Sequence, residues 1–312
     1  MNILFFGTSK FAVPALEALT AAGFKPAAVI TLPDRPCGRG LQNTPSPIAI
    51  SAKKLELQLF QPEKLSREES VEKLTSFRAD VGVVAAYGKL IPEHVIKLFP
   101  KGILNIHPSL LPEFRGPSPI QYAILESKTK TGATIMLVDK ELDHGPILTQ
   151  EEENISPDDT TETLSARLAN RGSQLIVRTL PQWLSGSIAP REQNHAIATF
   201  TKLILKEDGN IKWDESAETI ERKIRAYTPW PGAFGFIKNE NKTIRIKIIH
   251  ATILTQPSQE KRGKILEQNG LPLVVAANGG ILLHKLQVEG RRAISGQEFL
   301  NGYPRALGAK FE

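Results

Sequence analysis

Apolar and polar positions follow two different rhythms along the 312 residues. Through about residue 189, short apolar runs alternate with longer stretches of helical period. Asn2 to Phe6 predicts a buried strand, Gly7-Thr8-Ser9 a turn, and Phe11 to Ala22 a helix stopped by Gly23. Ala27 to Thr31 predicts a second strand, and Ile48 to Leu55 a helix opened by Ser46-Pro47. Asp80 to Ala86 has the near-continuous apolar character of a central parallel strand. Pro92 opens a short helix. Gly102 starts a further strand, which ends where Pro108 can no longer donate to a ladder. Ser118 can cap a helix through about Leu125 with Pro119 at its first position. Two more strands are predicted at Thr131 to Val138 and Ile147 to Gln150. A long amphipathic helix starts at Asp158 or Thr160, with Leu164, Leu168, Leu175, Ile176 and Leu180 near helical spacing and Pro181 near its end. This pattern predicts an open, mostly parallel α/β sheet.

The rhythm then changes. The stretch around Pro190-Arg191-Glu192-Gln193-Asn194-His195 is polar and aperiodic and reads as a linker. Asp214 to Tyr227 predicts one helix, with Ile220, Ile224 and Tyr227 on one face, stopped by Thr228-Pro229-Trp230-Pro231-Gly232. Short strands follow at Ala233 to Lys238, Thr243 to Thr252, Lys264 to Glu267, Leu273 to Ala276 and Ile281 to Val288. They are separated by turn signals such as Asn269-Gly270. About five short strands suggest a small Greek-key, OB-like barrel. The expected division is therefore 1–189, a catalytic α/β domain; 190–206, a linker; and 207–312, a β-barrel domain.

Charge sharpens this division. The chain carries a formal +6, and the twelve bases and six acids from Lys238 onward account for all of it. That concentration favours a polyanionic partner for the second domain, with the basic pairs Lys261-Arg262 and Arg291-Arg292 as expected contacts. The single cysteine, Cys37, excludes an intramolecular disulfide and a cysteine-rich metal site and fits a cytoplasmic protein. No apolar run reaches the roughly 20 residues that span a bilayer. Residues 1–6 are too short for a signal segment, so no membrane association is expected. Thr31 to Pro47 is long for a βα connection, and loops of that length in compact domains are usually functional or disordered. In it, Arg39 stands between Gly38 and Gly40 and is suited to recruit a phosphate.

The candidate chemistry lies in Gly102 to Gly116, G-I-L-N-I-H-P-S-L-L-P-E-F-R-G. Strand alternation puts Asn105 and His107 on one face at a carboxyl end, where open α/β sheets bind ligands. Proline-stiffened segments follow, at Ser109-Leu110-Leu111-Pro112 and Arg115-Gly116-Pro117-Ser118-Pro119. Asp143, before a Gly-Pro turn between two strands, can point into the same cleft. The Gly7 turn lacks the G-x-G-x-x-G spacing, which argues against a dinucleotide site. Without a nucleophile elbow, the three residues suit direct attack of an external amine on a bound acyl group, with no metal. Asn105 and His107 would donate to the developing oxyanion, and an Asp143 carboxylate would favour the charged imidazole.

The pattern N-I-H-P-S-L-L-P-E-F-R-G-P-S-P-I, with L-D-H-G-P-I-L downstream, resembles the formyltransferase family that uses 10-formyltetrahydrofolate. F-G-T-S-K-F-A, P-D-R-P-C-G-R-G and P-W-P-G narrow the resemblance to the branch acting on initiator methionyl-tRNA, along nearly the whole chain. The resemblance implies a doubly wound formyltransferase domain followed by a barrel that helps bind tRNA. It implies Asn105, His107 and Asp143 as the catalytic triad and Ser109, Leu110, Leu111 and Pro112 as lining of the folate site. The folate would be the formyl-donor cosubstrate, and a monomer is expected. Where relatives often carry lysines after G-R-G, Leu41-Gln42-Asn43 stand here, which leaves Arg39 with more of the tRNA contact or the loop with less importance. The alternatives are a folate-dependent formyltransferase or hydrolase acting on a small-molecule amine and, more remotely, an RNA-binding protein on a degenerate enzyme fold.

Overall fold

The computed structural model describes residues 1–37, 42–239, 242–255 and 259–312. Its strands are β1 (Ile3–Gly7), β2 (Ala28–Ile30), β3 (Arg35–Cys37), β4 (Gln42–Thr44), β5 (Leu59–Phe60), β6 (Val81–Ala85), β7 (Ile103–His107), β8 (Lys130–Leu137), β9 (Ile147–Asn154), β10 (Ala233–Asn239), β11 (Lys242–Leu254), β12 (Ile265–Gln268), β13 (Leu271–Val275), β14 (Gly280–Val288) and β15 (Ala293–Ser295). Its α-helices are α1 (Val13–Ala21), α2 (Pro47–Lys54), α3 (Glu68–Ser76), α4 (Glu93–Ile96), α5 (Pro119–Leu125), α6 (Thr161–Leu184), α7 (Ala217–Ala226) and α8 (Gly296–Gly302).

The chain divides into two compact units that interleave in sequence. The first holds Met1–Pro119, Lys130–Asn154 and Ser165–Thr201, and the second holds Ile120–Thr129, Ile155–Leu164 and Lys202–Glu312. Residues 190–201, read above as linker, thus fall within the first unit.

In the first unit a seven-stranded sheet runs β5-β2-β1-β6-β7-β8-β9. The first five strands pair in parallel, and β8 and β9 join antiparallel at one side. The continuous apolar runs are explained by cover on both faces. Ile3 and Phe5 of β1 join Leu16, Ile48, Ile176 and Leu180 in one core, while Leu4 and Phe6 join Leu74, Val95 and Phe99 in another. After β1 the chain turns outward to β2 and β5 and then returns to β6 on the other side. That switch point places the β1 and β6 loops beside the end of β7. The sequence reading passes over β5 and α3. β5 is two residues long, and α3 buries only Ser70 and Leu74, too little to leave a period. Within the expected 31–47 loop, β3 and β4 form a short antiparallel ribbon.

In the second unit an antiparallel sheet runs β10-β11-β14-β13-β12, with β15 on β14. The tail completes the curl. Phe311 bridges Ile237 of β10, and Lys310 bridges Lys264 next to β12. Glu312 N donates to Phe236 O at 2.8 Å, and Phe311 N donates to Gly263 O at 2.8 Å. The tail thus covers two edges that would otherwise expose unpaired backbone. Irregular pairing around His250 bends the long β11. Inside, Ile220 and Ile224 of α7 pack with Ile246, Ile248, Leu283, Phe299 and Phe311. Among the described residues, no helix is long and apolar enough to cross a membrane.

Candidate active site

Strand β7 sorts its side chains by alternation. Leu104 and Ile106 enter the core, and Asn105 and His107 turn to the opposite face, paired in register with Met136 and Thr134 of β8. Asn105 is half-buried and His107 is only 4% exposed. Asp143, in the β8–β9 loop, adopts a left-handed φ of 51°, a conformation that aspartate tolerates better than most residues. This turn carries its carboxylate to β7. Oδ1 accepts from Asn105 Nδ2 at 3.3 Å and lies 3.5 Å from His107 Nδ1, while Oδ2 accepts from Gly116 N at 2.8 Å. The three residues singled out by the sequence therefore converge.

The other imidazole nitrogen is also held. His107 Nε2 lies 3.0 Å from Phe114 O, and a carbonyl can only accept, so Nε2 carries a hydrogen. That leaves Nδ1 as the one ring position where a proton can come or go. With Nδ1 protonated the ring faces Asp143 as a donor, and without it Nδ1 is a base. Phe114 itself sits at φ 59°, a sterically costly conformation for a bulky side chain. The strain aims its carbonyl at His107, as found where backbone is over-determined at functional sites.

The loop from Pro108 to Ser118 is fixed by side chains that the aperiodic 190–201 segment supplies. Arg115, 3% exposed, donates from Nε and Nη2 to Gln193 Oε1 at 3.1 and 2.7 Å, and from Nη2 to His195 Nδ1 at 2.8 Å. Gln193, 4% exposed, donates from Nε2 to Asp143 O at 2.9 Å and Gly145 O at 2.7 Å. One buried amide thus ties the Arg115 loop to the Asp143 turn. Burial pushes the Arg115 guanidinium below the usual arginine range, opposed by the negative charges of Asp143, Asp139 and Glu141. Because a guanidinium has no acceptor, His195 Nδ1 must offer its lone pair. The His195 ring stacks on His144 at 4.1 Å, and His144 Nδ1 is 2.7 Å from Asp139 Oδ2. Gly116 has φ 111°, and a Cβ there would stand 2.8 Å from Thr201 O, so only glycine fits. No period marked Gln193, His195, Thr199 or Thr201 in the sequence.

The expected folate-lining segment divides in two. Ser109 Oγ donates to Glu113 O at 2.5 Å, and Ser109 O accepts from Thr134 Oγ1 at 2.6 Å. Leu111 packs on Met136 and Ile147, and its peptide bond to Pro112 is cis. Leu110 and Pro112 keep part of their surface exposed. Of the expected tRNA contacts, Lys261, Arg262, Arg291 and Arg292 are exposed side chains of the second unit. Arg292 Nη2 pairs with Glu298 Oε1 at 3.0 Å. Arg39 lies outside the described residues. The described residues contain no group of three or more histidine, cysteine or acidic side chains placed to hold a metal ion.

Comparison with known proteins fits this geometry. The formyl transferase family matches residues 1–180, and its C-terminal domain matches residues 203–304. The methionyl-tRNA formyltransferase of Chloroflexus aurantiacus is 43% identical over 304 residues, 97% of each chain. That of Solibacter usitatus is 40% identical over 305 residues, covering 97% of this chain and 96% of its own. Two solved structures share the fold at low identity. One is the N-formyltransferase from Helicobacter canadensis with folinic acid and dTDP-3-aminofucose, with TM-score 0.66 and 18% identity over 91% of this chain and 98% of that one. The other is HypX from Aquifex aeolicus with tetrahydrofolic acid, with TM-score 0.64 and 15% identity over 98% of this chain and 48% of that one. With both family domains matched and relatives aligned nearly end to end, the chain belongs to the methionyl-tRNA formyltransferase family.

Proposed function

We infer that this chain transfers the formyl group of 10-formyltetrahydrofolate to the α-amino group of methionine esterified to initiator tRNA, for translation initiation. The observation that carries the reading is the convergence of Asn105 and His107 on one carboxylate oxygen of Asp143. The residues fit a formyl donor. Asp143 takes only one of the two hydrogens on Asn105 Nδ2, so a formyl oxygen can accept the other. Leu110 and Pro112 offer partly exposed apolar surface to a ring system.

The geometry supports the following roles. The methionyl amine attacks the formyl carbon, a new C–N bond forms, and the carbonyl electrons move to oxygen. Asn105 donates to that oxygen. His107, with its Nε2 hydrogen committed to Phe114 O, works through Nδ1. As a base, Nδ1 takes the proton the amine must lose, and as a donor it returns a proton as the bond to the folate nitrogen breaks. Asp143 stabilises the charged ring and locks the loop through Gly116. Esterification also helps, because it removes the carboxylate that would hold a free amino acid's amine protonated.

The exposed bases of the second unit suit the tRNA phosphates, with Lys261, Arg262, Arg291 and Arg292 as contacts. Arg39 is proposed for the acceptor end on the resemblance alone. A monomer is proposed, and a cytoplasmic location is proposed because translation initiation takes place there. The test is formyl transfer from 10-formyltetrahydrofolate to methionyl-tRNA, run beside an amino-sugar nucleotide as acceptor. Transfer to methionyl-tRNA is expected, and transfer to the amino sugar alone overturns the reading.

A further inference from the structure

An aromatic ring stands in the open within a residue or two of the catalytic contacts. Phe200 is 66% exposed, yet the backbone around it is tightly fixed. Arg115 N donates to Thr199 O at 2.9 Å, and Thr201 N donates to Arg115 O at 2.7 Å, so Phe200 and Arg115 pair as a parallel bridge. The flanking hydroxyls add more. Thr199 Oγ1 accepts from Phe114 N at 2.8 Å, and Thr201 Oγ1 accepts from Ser118 N at 3.1 Å. The Arg115 guanidinium carbon lies 5.8 Å from the ring centroid, within cation–π range. A bulky apolar ring on a floppy loop would fold away from water. This one is held out on a braced backbone, with a buried cation behind it.

Its neighbours identify what could occupy it. Phe114 O holds His107, and Gly116 N holds Asp143, so the ring's bridge partner Arg115 sits between the two residues that position the catalytic pair. In the acceptor substrate, the reacting amine belongs to an ester on a ribose, and that ribose carries a nucleobase. When the amine reaches the site, the base is one ribose away and needs a surface. Flat, sequence-tolerant stacking on an aromatic side chain is how unpaired bases are commonly held, with arginine adding cation–π attraction.

We propose that Phe200 is the stacking platform for the unpaired nucleobase next to the aminoacyl ester, a specificity-determining contact that favours a nucleotide-borne amine over a small-molecule one. The proposal rests on the tRNA reading above. Its test compares wild type, Phe200→Ala, Phe200→Leu and Phe200→Trp on methionyl-tRNA with an intact end and with an abasic terminal nucleotide. Folate KM and thermal unfolding are measured alongside.

Losing a stacked base should lower kcat/KM for intact methionyl-tRNA roughly 5- to 100-fold in Phe200→Ala. Phe200→Leu, which keeps apolar bulk without the ring, should lose as much, and Phe200→Trp should stay within a few-fold of wild type. The abasic substrate should cost wild type the same factor and cost Phe200→Ala almost nothing further, because ring and base form one interaction. Folate KM should not move. Independent, multiplying losses from ring and base overturn the proposal. So do unchanged activity in Phe200→Ala and Phe200→Leu, or a rise in folate KM that shows the ring serves the donor. If wild type itself transfers nothing to intact methionyl-tRNA, the functional reading has failed, which is a different result.

Discussion

The two units of this chain handle charge in opposite ways. Around the candidate site of the first, charged and polar groups are buried and held by hydrogen bonds to one another and to the backbone. His107, Arg115 and Gln193 are each under 5% exposed, and each has named partners. In the second unit, the excess charge is carried by exposed side chains, some of them in surface pairs such as Lys238–Glu312 at 2.7 Å and Arg292–Glu298 at 3.0 Å. Such surface pairs contribute little to stability. The difference fits two tasks. Acyl transfer needs donors fixed at one oxygen, so its site is sensitive to geometry. Capture of a polyanion needs many charges near many phosphates, so its surface is sensitive to number. Damage in the first unit should therefore appear in kcat and damage in the second in KM.

The largest effects are expected where geometry and charge coincide. Asp143→Asn keeps the size of the side chain but removes the negative charge facing His107 Nδ1. A loss of roughly 100- to 10,000-fold in kcat is expected, the range for general acid–base groups, with folate binding kept. Asn105→Ala removes one oxyanion donor, and kcat should fall roughly 100- to 1000-fold while both KM values change little. Steady-state kinetics with each substrate varied in turn checks both variants. Near-normal turnover in either would take that residue out of the transition state.

Gln193→Ala should do less to the chemistry and more to the fold. It strips the acceptor from a buried guanidinium and the donor from Asp143 O and Gly145 O together. Unsatisfied buried groups cost about 1–3 kcal/mol, so the melting temperature should drop. The freed Asp143 turn should lower kcat by up to about 100-fold, the scale of a misplacement near 1 Å. Gln193→Glu keeps an acceptor for Arg115 but not the amide donors. If the tie to the Asp143 turn is what matters, Gln193→Glu should recover stability without recovering kcat. Recovery of both would assign Gln193 to Arg115 alone.

That residue also shows where sequence reading stops. Asn105 and His107 were legible because strand alternation and Pro108 fix a face and an end, and Asp143 because it opens a Gly-Pro turn. Gln193, His195, Thr199 and Thr201 were not, because a segment that earns its place through side-chain hydrogen bonds leaves no hydrophobic period. Its polar, aperiodic composition is that of a linker. The tail was missed for a related reason. Residues 308–312 complete the barrel by pairing with two edges, a job too short to show a strand pattern. The strands β1 and β6 and the helix α6, by contrast, were readable because each buries a continuous face.

The smallest effects should come from the open charges, and they can be ranked. Each lysine or arginine that neutralises a phosphate releases counterions, so removing it flattens the dependence of tRNA affinity on salt by about one in log–log slope. The two basic pairs are not equivalent. Lys261 and Arg262 are both exposed in the turn before β12. Arg292 already faces Glu298, which with Ser295 forms the capping box of α8. The Glu298 carboxyl is held below the usual range by the Ser295 backbone and hydroxyl and by Arg292, so it stays ionised and competes with phosphate for that guanidinium. Lys261→Ala/Arg262→Ala should therefore flatten the slope by up to about two, and Arg291→Ala/Arg292→Ala by nearer one. KM for tRNA should rise more in the first variant, with kcat and folate KM unchanged in both. Adding Glu298→Gln to the wild type should release Arg292 and steepen the slope slightly. Equal slopes in all four proteins would mean that these side chains meet only water, and that the polyanion is held on another face.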